Sequence, residues 1–194
     1  MPVQAGGETV RQAPCSSPRP LLWGAMDSPL GRLYVAAGPG GALVRLTYGV
    51  REEEFLAELD RSARNGPAAP AFDPGAVAPI LRQLDQYFTG ARRRFRLEVD
   101  LSGLPPFQRR VLEAVRSIPY GRAWSYGQVA AAVGKPGAAR AVGRALAQNP
   151  VGIVIPCHRV VAADGSLHGF TAAGGLEAKR FLLELEGWQQ GRLG

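Results

Sequence analysis

Apolar residues recur with a period of two in the first half of this chain and mostly with a helical period in the second. Leu33 and Val35 alternate with smaller or polar neighbours in Gly31–Ala37. After the turn Gly38-Pro39-Gly40-Gly41, the run Ala42–Tyr48 reads as the second arm of a hairpin. Glu52–Leu59 has the pattern of a short amphipathic helix, and Asn65–Pro74 that of a Pro/Ala/Gly loop. Val77, Ile80, Leu81, Leu84 and Phe88 fall on one helical face. Phe95, Leu97, Val99 and Leu101 alternate strictly with Arg96, Glu98 and Asp100, which predicts a strand with one face buried.

Leu104-Pro105-Pro106 breaks that pattern and marks a domain boundary. The division expected is a mobile tail over 1–20, an α/β domain over 21–104 and a mainly helical domain over 105–194. Phe107, Val111, Leu112 and Val115 mark a helix that ends before Pro119-Tyr120-Gly121. Ser125-Tyr126-Gly127-Gln128 has the form of a capping box, in which the Ser hydroxyl and the Gln amide each satisfy a free N–H of the first turn. This opens a short helix running to about Val133. A turn at Gly134-Lys135-Pro136-Gly137 and a second helix, Ala138 to about Gln148, complete a helix-turn-helix layout, although many helical hairpins share that spacing. Asn149-Pro150 ends the helix, because the residue before proline is pushed out of the α region. Val151–Ile155 then reads as a buried strand, and Leu176, Phe181, Leu182, Leu183 and Leu185 mark a last helix ending near Glu186-Gly187.

The chain has 194 residues, 46% of them hydrophobic, enough core for one large domain or two small ones. No apolar run approaches the roughly 18 residues a membrane span needs, and residues 1–20 lack the apolar core of a secretory signal. A cytoplasmic location follows as the expectation. The net charge of +7 lies mostly in residues 101–194, with 11 Lys/Arg against 5 Asp/Glu. A basic C-terminal half points to a polyanion such as nucleic acid, with general solubility as the plainer reading. The helix after the turn sharpens the choice. Its small residues Ala138, Ala139, Ala141, Gly143 and Ala145 permit close approach to another surface, and Arg140 and Arg144, at i and i+4, can reach one partner.

The chemistry concentrates in Pro156-Cys157-His158-Arg159-Val160. A thiol beside an imidazole at the end of an apolar run is a common arrangement for a nucleophile, since only the thiolate attacks and it needs a base or positive potential nearby. An isolated Cys is otherwise more often a small buried residue. Cys15 and Cys157 sit in unlike contexts, so no disulfide is expected, and two Cys and two His at these spacings form no zinc site. Neither a metal nor a cofactor is expected.

Several ordered blocks resemble the O6-alkylguanine-DNA alkyltransferases: Phe107-Gln108, Ile118-Pro119-Tyr120-Gly121, Ser125 to Ala130, Arg140 to Ala145, Asn149-Pro150, Pro156 to Val161, and Lys179 with Leu182-Leu183 and Glu186. The resemblance is close over roughly 85–187 and looser over Leu21–Asp85. It implies a ribonuclease-H-like α/β domain followed by a DNA-binding domain with a helix-turn-helix. It also implies irreversible transfer of an alkyl group from O6-alkylguanine to Cys157, and leaves O4-alkylthymine open as a second substrate. On this pattern His158 activates Cys157 through a water, because adjacent side chains diverge. Glu186 holds the His ring, Tyr126 donates to the base, and Asn149 braces the site. Arg140 fills the gap left by the everted nucleotide, with Ala139, Gly143, Arg144, Ser125 and Tyr126 against the minor groove. Val160, Phe170 and Thr171 would line the base pocket. The partner implied is double-stranded DNA, bound by a monomer of prokaryotic type. Gly169-Phe170 replaces a Gly-Tyr pair frequent in the family, and Thr171-Ala172-Ala173 look like extra residues. Two alternatives remain: a non-catalytic lesion sensor on the same scaffold, and an unrelated cysteine hydrolase.

Overall fold

The computed structural model describes residues 20–62 and 69–189. All but the last residue of the expected tail, and residues 65–68 of the expected loop, lie outside that range.

The N-terminal half is a four-stranded mixed sheet in the order β3-β2-β1-β4. Strands β1 (Leu22–Ser28) and β2 (Gly31–Ala37) form a tight antiparallel hairpin, and β3 (Leu43–Tyr48) adds to β2 with a register shift at Ala36/Ala37. Both faces are covered, so β2 is buried from Leu33 to Ala37 without interruption. On one face Trp23, Tyr34 and Ala36 pack against Phe55 and Leu59 of α1 (Glu52–Ser62). On the other, Leu33, Val35 and Ala37 meet Val77, Ile80, Leu84 and Tyr87 of α2 (Pro74–Phe88). Asp73 caps α2 by accepting from the Ala76 N–H. Gly24 lets α2 lie against β1, since a Cβ there would come within 2.7 Å of Val77 Cγ2.

Two sequence expectations change here. The loop before α2 contains a short strand, β4 (Ala71–Phe72), parallel to β1. Phe95–Leu101 is extended but is not a strand of the sheet. It makes one bridge, Leu43 to Val99, and side chains bond its backbone at Arg96 and Leu97. Gln83 bonds both the N–H and the C=O of Arg96, and Arg116 donates to Leu97 O. A backbone satisfied by side chains needs no ladder partner.

The C-terminal half comprises α3 (Pro106–Arg116), β5 (Trp124–Ser125), α4 (Tyr126–Ala132), α5 (Ala139–Ala147), β6 (Val160–Val161) and α6 (Gly175–Leu185). Ser125 and Gln128 form the capping box of α4. β5 and β6 pair in parallel. Val151–Ile155 is a tight turn rather than a strand. Val154 N–H bonds Gly152 O, Ile155 N–H bonds Val151 O, and buried Ile153 has φ +70°. Its apolar side chains are buried in the shared core, and the turn lies against the edge strand β3. The Leu46 N–H bonds Pro150 O, and Leu46 bridges Val151. One hydrophobic cluster runs from the N-terminal sheet through α3, α4, α5 and α6.

Candidate active site

Cys157 opens a single 3-10 turn, Cys157–Arg159, directly after the buried Val151–Ile155 turn. Asn149 stiffens this approach. Its Nδ2 donates to Ile155 O at 2.9 Å and its Oδ1 accepts from the Val151 N–H at 3.1 Å. Cys157 is half-buried and faces a cavity of about 410 Å³. The walls include Tyr126, Asn149, Phe170 and Thr171 from the C-terminal half, and Leu46 and Tyr48 of β3 from the N-terminal half. Burial pushes the thiol up; the Asn149 amide and the Lys179 ammonium oppose it.

His158 is fully buried on the other side of the turn. Its Nε2 lies 2.9 Å from Glu186 Oε1, while Nδ1 is enclosed with no protein partner. An Nε2–H donating to the carboxylate leaves Nδ1 as an acceptor. Burial pushes the imidazole below its ordinary value, against the opposing pull of Glu186, so the resting ring is neutral.

Glu186 caps the C-terminus of α6 and is almost wholly buried. Arg159 grips it at two points, and Tyr87 and the Gly121 N–H complete its contacts at 2.7 and 3.2 Å. Burial alone would raise this carboxyl, but the hydrogen bonds from His158 and Arg159, with the Arg159 charge, win and hold it well below the usual range. Gly121 has φ +72°, and a Cβ there would stand 2.9 Å from Glu186 O, so only glycine fits.

Lys179 is the one lysine in the core among the described residues. Its Nζ donates to Val160 O at 2.7 Å and His168 O at 3.1 Å, and it lies 5.8 Å from the Tyr126 ring centre and 6.0 Å from that of Phe170. Burial lowers it to about 8, with Cys157 pulling the other way. The loop carrying the cavity's far wall is thus tied to α6.

The sequence-derived candidates divide accordingly. Cys157, Tyr126, Asn149, Phe170 and Thr171 share the cavity. His158 and Glu186 stand behind it as a buried pair. The Tyr126 hydroxyl donates to His168 O at 3.2 Å, and Thr171 Oγ1 to Ala147 O at 3.1 Å. Val160 is not on the cavity wall. It is fully buried in β6, opposite Trp124. Ser125 is not on the surface either: it is 8% exposed, with its hydroxyl committed to the α4 cap. Arg140 and Arg144 project from α5 into solvent, and among the described residues neither forms a salt bridge. Ala139 and Gly143 are half-buried on the same helix. Four residues of the site escaped sequence reasoning as site residues: Tyr48, Tyr87, Arg159 and Lys179. Two of them carried a signal: Arg159 by its place in the Pro156–Val160 motif, and Lys179 as a cation on the apolar face of α6 between Ala178 and Leu182.

No helix among the described residues is long and apolar enough to cross a membrane, and no cluster of three His, Cys, Asp or Glu among them could hold a metal.

Comparison with known proteins is consistent along the chain. Residues 21–101 match the family described as 6-O-methylguanine DNA methyltransferase, ribonuclease-like domain, and residues 106–188 its DNA binding domain. A Mycobacterium leprae protein named methylated-DNA--protein-cysteine methyltransferase is 44% identical over 162 residues, covering 84% of this chain and 90% of that protein. A Salmonella typhimurium protein of the same name is 45% identical over 171 residues, covering 87% and 96%. Among solved structures, Mycobacterium tuberculosis OGT in complex with DNA superposes with a TM-score of 0.71 at 41% identity, covering 85% of this chain and 92% of that one.

Proposed function

The chain belongs to the 6-O-methylguanine DNA methyltransferase family, and from that membership we propose how its own residues carry out alkyl transfer. It is a DNA-repair methyltransferase that reverses damage directly, moving the alkyl group of O6-alkylguanine in DNA onto Cys157. The observation that carries this reading is the sequence of contacts from the cavity inward: Cys157 on the wall, His158 behind it, and Glu186 fixing the far ring nitrogen.

The thiol proton passes through a bridging water to His158 Nδ1, and Glu186 stabilises the imidazolium, the division of labour of a nucleophile–base–acid triad. Sγ then attacks the alkyl carbon. The S–C bond forms, the C–O6 bond breaks with its electron pair on the guanine, and the base takes up a proton, for which Tyr126 stands in the cavity. The thiol is pushed up and the imidazole pushed down, so the resting pair is neutral and ionises only with substrate in place. A thioether is not hydrolysed under mild conditions, so each molecule acts once.

The target atom lies within a base pair, so the nucleotide must leave the stack. The exposed Arg140 and the small residues of α5 suit insertion into the minor groove, where Arg140 fills the vacated space and Arg144 approaches the backbone. We place the functional division at Leu104-Pro105-Pro106 and take the protein to act as a monomer. A non-catalytic sensor on this scaffold is the weaker reading, because the nucleophile and its buried partners are all retained.

Intact-mass measurement after incubation with O6-methylguanine DNA tests the proposal. A single gain of one CH2, absent in Cys157→Ala, is expected; turnover without an adduct refutes it.

A further inference from the structure

We infer that Tyr87, supplied by the N-terminal half, is a positioning residue of the alkyl-transfer site: its hydroxyl fixes the Glu186 oxygen that orients His158. The inference rests on the proposed roles of Cys157 and His158 and gives the N-terminal half a part in the reaction.

Tyr87 lies in the last turn of α2 and is fully buried. Its hydroxyl donates to Glu186 Oε1 at 2.7 Å, and that same oxygen stands 2.9 Å from His158 Nε2. The ring is held by Phe88, Phe95 and Tyr120, with centroids 5.5, 5.3 and 6.2 Å away. A phenol buried this deeply among aromatic rings needs a partner for its O–H, and Glu186 is the one it has.

The carboxylate is saturated. A carboxylate offers about four lone-pair sites, and Glu186 already meets Tyr87, His158, the two-point Arg159 contact and the Gly121 N–H. Arg159 and Gly121 hold Oε2. Oε1, the oxygen facing the imidazole, is shared between Arg159 and Tyr87, which approach from different elements. Arg159 comes from the same 3-10 turn as His158 and moves with it. Tyr87 comes from α2, packed on the opposite sheet, and so is a reference point independent of the reactive turn. Burial, and then the charge of Glu186, raise the Tyr87 phenol far above its ordinary value, so it remains a donor. The other groups facing the pair are Lys179 from α6, Tyr120 from the loop after α3, and Cys157 beside the ring. None of these donates to Oε1.

Removing the Tyr87 hydroxyl leaves Oε1 with one donor fewer. The oxygen becomes more basic and favours the imidazolium, so the acid limb of the rate profile, set by His158, moves to higher pH. Oε1 also loses its independent anchor, so the ring is aimed less well and the plateau rate falls.

The test is single-turnover methyl transfer from O6-methylguanine DNA to Cys157, from about pH 5 to about pH 9, with thermal melting in parallel. Wild type, Tyr87→Phe, Glu186→Gln and the double variant are compared. Tyr87→Phe keeps the ring and is expected to lower the plateau about tenfold and raise the acid-limb midpoint. In the Glu186→Gln background the same change should add less than about twofold, because the two residues act as one unit. A fluorinated tyrosine at position 87 keeps the hydroxyl as a stronger donor and should move the midpoint the other way. An unchanged plateau and midpoint in the Tyr87 variants, whatever happens to melting, overturns the positioning role, as do fully additive losses in the double variant. If wild type itself takes up no methyl group, the reading of Cys157 fails and this inference fails with it.

Discussion

Arg159 meets Glu186 at two points, Nε to Oε2 at 2.8 Å and the second guanidinium nitrogen, Nη2, to Oε1 at 2.9 Å, and both side chains are almost entirely shielded from water. The reactive turn and the end of α6 are therefore joined by a buried, bidentate ion pair, the strongest geometry such a pair adopts. Breaking it from one side leaves an uncompensated charge in the core.

Glu186→Gln should thus destabilise the fold by about 3–5 kcal/mol in urea denaturation, the usual cost of stranding one member of a buried pair. The pH dependence follows from the lowered carboxyl. Its stabilisation is present above the ordinary carboxylate value and is lost as pH falls through the lower, folded value. Wild type should lose stability steeply on acidification, and Glu186→Gln should lose less over that range.

Lys179→Met should remove a stability gain on the alkaline side. Burial lowers Lys179 from 10.5 to about 8, so the unfolded chain binds its proton more tightly. The penalty, roughly 3 kcal/mol, is in force below pH 8 and is relieved as pH rises from about 8 to the ordinary lysine value. Urea midpoints should climb across that interval for wild type and stay flatter for the variant. The variant also loses the bonds to Val160 O and His168 O, so alkyl transfer should slow as the loop bearing Phe170 loosens.

Arg140→Ala should weaken repair of duplex DNA more than reaction with free O6-alkylguanine base. The side chain is exposed, and in the proposed role it acts only where a nucleotide must be everted. Comparing second-order rate constants on the two substrates checks this, and equal losses would exclude the role. Since the contact is electrostatic, duplex binding should also weaken steeply with added salt.

Asn149→Ala should cost about 1–3 kcal/mol, since it strands the buried Ile155 carbonyl and the Val151 N–H. The thiol should also become harder to ionise, because the amide that favours the thiolate is gone. The pH dependence of iodoacetamide labelling at Cys157, shifted upward, would record the second effect.

How far the site could be read from the chain depends on the range of the forces involved. The α4 cap was legible in Ser125 and Gln128 because a capping box closes within four residues. Val77, Ile80 and Leu84 revealed α2 because a helical period is local. Val151–Ile155 misled because an apolar run reports burial but not conformation. Buried turns and buried strands look alike, and nothing local announces a left-handed Ile153. Phe95–Leu101 kept its alternating burial yet meets the sheet only at the Leu43–Val99 bridge, with Gln83 on α2 and Arg116 on α3 bonding its backbone at Arg96 and Leu97. Ser125, proposed to contact DNA, spends its hydroxyl on the cap of α4.

The chain by itself determined the reactive pair and the scaffold near it: a thiol and an imidazole in adjacent positions, and an adjoining helix-turn-helix whose second helix combines small residues with Arg140 and Arg144. These are matters of neighbouring residues and short periods. Only the tertiary structure decided what surrounds them. Tyr87 reaches Glu186 across 99 positions, Tyr48 brings the first half of the chain to the cavity wall, and Lys179 is desolvated beneath Tyr126. Such contacts form because apolar surface from both halves is removed from water in one shared core. The distances and the displaced ionisations follow from that burial, which no local pattern encodes.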